Sequence, residues 1–229
     1  MDPVARTAMH RLHVDGGARM ASVGGWELPE AYAGGEAEAR AARAGVGLWD
    51  LSASAKWEIR GAGTPEAVQS LLGIPAPEVG RAAKGIMAGK EAMILRLAPD
   101  RALAVGPPGL EAEAVQRAVA TDGCTHLVNV SSGMAGMRVA GPAARAILAT
   151  LTSLDVAPSA LPELACAETG LARVHAILLR RDLGDLPAFE IYAARNYGAY
   201  LWEAFLDVGK TRGLVSCGHE SEGLLTAET

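Results

Sequence analysis

The chain has 229 residues, half of them hydrophobic, with a formal charge of −5 and an isoelectric point near 5.6. That length and apolar content suffice for one large core. The acidic balance gives no electrostatic reason to expect nucleic acid or an anionic membrane as partner. No apolar run approaches the roughly 18 residues that a bilayer span needs, and the first residues lack the apolar stretch of a secretory signal.

In chain order, the first distinctive stretch runs from Gly17-Ala-Arg-Met20 through Gly24-Gly-Trp-Glu-Leu-Pro29 to Tyr32. A charged, Ala-rich helix with Glu38 and Arg43 follows, then Gly47-Leu-Trp-Asp-Leu-Ser52. Gly24-Gly25 permits a turn with positive φ, Pro29 stops a helix or ladder, and Trp26 supplies a large anchor with one polar atom. Such a shaped segment carries function more often than core does, and residues 1–44 form an N-terminal segment ahead of the repeat.

Beyond it the chain repeats itself. Asp50-Leu-Ser-Ala-Ser-Ala-Lys-Trp-Glu-Ile-Arg-Gly61 is echoed by Val130-Ser-Ser-Gly-Met-Ala-Gly-Met-Arg-Val-Ala-Gly141, with Ser52 and Ser132 each nine residues before a Gly. An Ala-rich, helix-periodic segment follows each copy. Next come paired strands: Ala92–Leu97 and Ala102–Val105 around Pro99-Asp-Arg101, and Val174–Arg180 and Phe189–Tyr192 around Asp182-Leu-Gly-Asp185. Helices are expected near 109–120 and 196–208. Each half therefore reads strand, helix, strand, strand, helix, with halves at about 45–122 and 124–210 of a single domain, 1–229. Strands grouped in hairpins argue for an α+β fold and against a doubly wound parallel sheet.

Cys124, Cys166 and Cys217 are odd in number and widely spaced, which points to idle thiols in a reducing cytoplasm. The five His lack metal-ligand spacing, so no metal is expected, and His175 reads as a hydrogen-bonded interior residue. Gly85-Ile-Met-Ala-Gly89-Lys90 is not a phosphate loop: only three residues separate the glycines, and Glu91 follows the Lys.

Residues 17–61 resemble the opening of the glycine-cleavage T-protein (aminomethyltransferase) family, whose pattern runs G-A-+-M, G-G-W-E-M-P, Y, a charged helix and G-L-F-D-V-S. The resemblance implies an internally duplicated folate-binding domain with a cleft between its halves. Ile74-Pro-Ala-Pro, Val79-Gly80, Leu97–Arg101 and Leu201-Trp202 look closer to the gamma subunit of heterotetrameric sarcosine oxidase, a partner in a flavoenzyme complex. Tetrahydrofolate is the cofactor implied, with flavin only on a partner chain. The family's C-terminal β-barrel is expected to be lacking, because the stretch after Glu222-Gly-Leu-Leu225 stops at Thr229.

By the same resemblance, Glu190 in Phe189-Glu-Ile-Tyr192 matches the Glu that holds the pterin ring; the other reading is a solvent-facing strand residue. Trp26 and Tyr32 either wall the cleft or pin the opening loop, and Arg180 stands where the family's R-T-G-Y-T-G-E loop begins. That loop's Tyr and Glu are absent after Arg180, and the family's G-G-I-x-D-D strand is reduced to Met87-Ala-Gly-Lys-Glu91, leaving Glu91 as the remaining catalytic acid. Asp50 and Ser52 read as residues that satisfy a turn, and Arg43 as a helix-surface residue.

Two functions follow as expectations. One is a folate-fold subunit of a sarcosine-oxidase-like complex that oxidises or demethylates methylamines, in tetrahydrofolate-linked one-carbon metabolism, beside a flavoprotein oxidase or demethylase subunit. The other is a stand-alone tetrahydrofolate-dependent aminomethyltransferase.

Overall fold

The computed structural model describes residues 5–110 and 124–226. The N-terminal segment forms a small sheet in the order β1-β3-β2. Its elements are β1 (Ala5–Arg6), helix α1 (His10–Asp15), β2 (Arg19–Val23) and β3 (Trp26–Ala31). Gly24 and Gly25, with φ of +56° and +82°, make the two-residue turn between β2 and β3. A hairpin turn of this kind needs positive φ at both positions. Helix α2 (Gly35–Ala44) follows, and its buried Glu38 accepts the backbone N–H groups of Tyr32, Ala33 and Gly218.

The rest builds two larger sheets. In sequence these are β4 (Val46–Asp50), β5 (Ala55–Arg60), α3 (Thr64–Leu72), β6 (Ala82–Met87), β7 (Lys90–Ala98) and β8 (Arg101–Gly106). Then come β9 (His126–Asn129), β10 (Met134–Ala140), α4 (Ala144–Leu151), β11 (Cys166–Leu171), β12 (Val174–Arg180), β13 (Ala188–Ala194), α5 (Gly198–Gly209), β14 (Leu214–Ser216) and α6 (His219–Thr226). One sheet runs β6-β7-β8-β5-β9 and the other β11-β12-β13-β10-β4-β14. The connectivity is the same in both, but the first strand of each set is exchanged: β4 pairs with β10, and β9 pairs with β5.

Two glycines make the exchange sterically possible. Gly61, after β5, has φ of +133°, and a Cβ there would sit 2.1 Å from the carbonyl oxygen of Cys124, just ahead of β9. Gly141, after β10, has φ of +136°, and its Cβ would sit 2.4 Å from the carbonyl oxygen of Gly45, just ahead of β4. Only a residue without a side chain allows backbone to pass that close.

The two sheets face each other across Met93, Leu95, Leu103, Ile177, Leu179 and Tyr192. Helices cover their outer faces. Helix α3 buries Ala67, Val68, Leu71 and Leu72 against the first sheet, because those apolar positions recur at helical spacing. It opens with Pro65 in its first turn and ends at Gly73 in the left-handed conformation. Helices α4 and α5 bury Ile147, Leu148, Leu201, Trp202 and Phe205 against the second.

Several expectations are corrected by the structure. Each set has an additional edge strand, β6 or β11, that the sequence does not announce. Ala82-Ala-Lys-Gly-Ile-Met87 and Cys166-Ala-Glu-Thr-Gly-Leu171 each include Gly and are partly exposed, as edge strands are. The nine-residue spacing equates Ser52 with Ser132, but Ser131 occupies the matching position. The Gly136 N–H donates to Ser52 Oγ at 3.1 Å and the Lys56 N–H to Ser131 Oγ at 2.8 Å. The second connection is one residue longer, so counting back from the Gly misplaces the hydroxyl. His175 is an exposed residue near the β11–β12 turn, beside Glu168, rather than an interior one. The helix expected near 109–120 falls largely on residues 111–123, outside those described.

Candidate functional site

A cleft of about 320 Å³ opens between Leu51, Ala53 and Ser54, the segment Val105–Pro108 and the β10–β13 surface. Its apolar side includes Val23, Leu28 and Met93. Its polar side includes Asp50, Glu91, Arg138, Arg181, Glu190 and Glu222. Strand β13 presents Glu190 directly opposite Arg138 of β10, because the two are register partners. One residue beyond β12, Arg181 reaches the same wall, and α6 contributes Glu222.

These charges form a closed network. Glu190 Oε1 accepts Arg138 Nη2 at 2.5 Å and Arg181 Nη1 at 3.4 Å, while Oε2 accepts the Tyr192 hydroxyl at 2.5 Å. Arg138 Nη1 donates to Glu222, but the buried Arg138 Nε has no partner among the described residues. At the rim, Glu91 meets Arg181 at 3.4 Å and Lys84 at 3.8 Å. Burial pushes the Glu190 carboxyl up, yet the charges of Arg138 and Arg181 outweigh it and hold the group below its ordinary value. Burial and Glu190 together raise Tyr192, which stays a hydroxyl donor.

Of the residues singled out in the sequence, the structure brings Glu91 and Glu190 together, bridged by Arg181. Asp50 also lines the cleft, but Trp26, Tyr32 and Arg180 lie elsewhere. Trp26 borders an outer hollow with Asn129 and Ser131, and the Arg195 guanidinium stands 5.9 Å from its ring centroid. Tyr32 borders a hollow of about 360 Å³ beside Trp202 and Leu206, and its hydroxyl lies 2.7 Å from His13 Nδ1. Arg180 is held by Asp182 at 2.8 Å and by the Leu161 carbonyl, off the cleft lining. Asp50 does receive the Ser52 N–H, as a turn residue should, but it also pairs with buried His13.

Sequence reasoning passed over Arg138 entirely. Its signal was there: one charged residue in the otherwise apolar run Met134-Ala-Gly-Met-Arg-Val-Ala140. A buried charge in a central strand requires a partner, and Glu190 is that partner. Among the described residues no three His, Cys, Asp or Glu side chains gather as metal ligands, and no helix is long and apolar enough to cross a membrane.

The sequence profile of the GCVT N-terminal domain matches residues 9–229. The chain belongs to that family. An aminomethyltransferase from Anoxybacillus flavithermus is 27% identical over 223 residues, covering 93% of this chain and 61% of the relative. Sarcosine oxidase subunit alpha from Corynebacterium sp. U-96 is 31% identical over 255 residues, covering all of this chain but 26% of the relative. This GCVT-type chain thus spans about three fifths of the length of the aminomethyltransferases it matches. In structure it resembles the glycine cleavage system aminomethyltransferase T of Bartonella henselae, with a TM-score of 0.83 at 22% identity over 97% of this chain and 62% of that one. It also resembles a chain of the heterotetrameric sarcosine oxidase from Corynebacterium sp. U-96, with a TM-score of 0.64 at 21% identity over 79% of this chain and 93% of that one.

Proposed function

We propose that this chain is the folate-fold component of a cytoplasmic, sarcosine-oxidase-like complex that oxidises or demethylates methylamines, with the flavin carried by a partner flavoprotein. On this reading the two sheets are duplicated halves at about 45–122 and 124–210, and the chain stands closest in role to a gamma-type subunit. The observation that carries it is the state of the cleft. Glu190, 1% exposed, already engages both oxygens with Arg138, Arg181 and Tyr192. A carboxylate has about four acceptor sites, and three donors on buried Glu190 leave fewer than the two that adjacent pterin N–H groups use. The residues present therefore do not fit a pterin seated on Glu190, and the link to tetrahydrofolate rests on family membership rather than on this wall.

The second reading, a stand-alone aminomethyltransferase, is favoured by one feature. Glu91 lies at the cleft rim with its side chain 57% exposed, where an acid can reach a substrate. Co-expression separates the two. With a flavin-bearing amine oxidase chain from the same genome, the subunit reading expects one co-eluting yellow complex that oxidises sarcosine. Tetrahydrofolate-dependent aminomethyl transfer by the chain alone, with no co-elution, overturns that reading in favour of the second.

A further inference from the structure

We propose that the cleft seats a small carboxylate ligand on Arg181, with Arg138 keeping Glu190 out of ligand contact. The argument starts from which donors are committed. Arg138 is pinned by Glu190 and Glu222. The Arg181 side chain, 30% exposed, makes both of its ion pairs, to Glu190 and Glu91, at 3.4 Å. A tight charge-assisted N–H···O bond is about 2.7–2.9 Å, so Arg181 is loosely held. Its planar fork matches a carboxylate in two places at once.

The surroundings agree. Arg181, Arg138 and Glu222 form the shared wall between the main cleft and a neighbouring hollow of about 260 Å³ that also includes Lys84. The buried Arg138 Nε supplies a further N–H, without a partner among the described residues, at that wall. Lys84, Arg138 and Arg181 face Glu91, Glu190 and Glu222, with Asp50 on the cleft lining and Glu163 and Asp182 in the neighbouring hollow, so carboxylates outnumber cations and selectivity comes from which groups are engaged, not from net charge. Of the two carboxylates that Arg181 pairs with, Glu91 is the exposed one and acts as the placeholder: an incoming carboxylate takes its position on Arg181, and Glu91 swings into water.

This goes beyond the subunit reading and is measured on the chain alone, so its failure leaves that reading standing. Three probes divide the chemistry in calorimetric titrations of the full chain at low salt. Sarcosine is a small amino acid carboxylate, p-aminobenzoylglutamate carries the carboxylates of a folate tail, and 6-methyltetrahydropterin has the ring without the tail. Saturable binding of either carboxylate probe is expected, identifying its source, with affinity falling at least about tenfold in Arg181→Leu. Glu91→Gln, which leaves Arg181 in place, should bind more tightly and serves as the readout if Arg181→Leu does not fold. Absence of carboxylate binding overturns the proposal. So does carboxylate binding that is indifferent to both substitutions, or binding of the pterin ring that is lost in Glu190→Gln.

Discussion

His13 Nε2 lies 3.0 Å from Asp50 Oδ2, and both side chains are wholly buried. The Asp50 carboxylate can only accept, so Nε2 carries the proton and Nδ1 accepts from the Tyr32 hydroxyl at 2.7 Å. The imidazole also stands edge-on to Trp202, with ring centroids 4.7 Å apart. One short chain of hydrogen bonds thus ties α1 and the loop after β3 to the strand that borders the cleft.

Removing His13 leaves the buried Asp50 carboxylate with the Ser52 N–H as its donor. His13→Ala is expected to destabilise the fold by about 2–3 kcal/mol, because the Asp50 carboxylate then loses a charge-assisted hydrogen bond that nothing replaces. Tyr32→Phe removes only a neutral donor and should cost about 1 kcal/mol. Urea unfolding followed by Trp fluorescence gives both values; equal small losses would refute the assignment of the pair as the anchor.

The glycine crossings predict a second pair of outcomes. Gly61→Ala and Gly141→Ala each force a Cβ into a carbonyl oxygen at a φ that L side chains rarely adopt. Each should cost more than the roughly 1 kcal/mol of an ordinary Gly position, whereas Gly133→Ala, which meets nothing within 4 Å, should be mild. Thermal melts of the three variants check this ordering.

Lys56 gives a dependence on pH. Its side chain is buried and its Nζ donates to the carbonyls of Ser52 and Ser54. Burial lowers its pKa from 10.5 to about 8. Between those values the unfolded chain binds more proton than the folded one, so this residue makes stability rise with pH. Below about pH 8 the penalty of the buried charge is fully present. Cys166 and Cys217, pushed by burial from 9 to about 12, act in the opposite sense above their unfolded value. The measurement is therefore a difference: wild type should gain on Lys56→Met from pH 8 to 10.5, and a gap that stays constant rejects the shift.

The local pattern determined the elements whose evidence lies within a few residues. The hairpin at Pro99-Asp-Arg101, the Gly24-Gly25 turn and the matched Gly61 and Gly141 are legible because turn chemistry and the two-residue alternation of strands are short-range properties. Glu91 and Glu190 were singled out through the resemblance, and both line one cleft. What only the tertiary structure decided is pairing over long separations. The exchange of β4 and β9 depends on which strands are adjacent. The grip of Arg138 and Arg181 on Glu190 depends on sheet register and on a residue beyond β12 folding back over the wall. A side chain's chemistry is written in its identity, but its charge state and availability are set by neighbours that arrive from elsewhere in the chain.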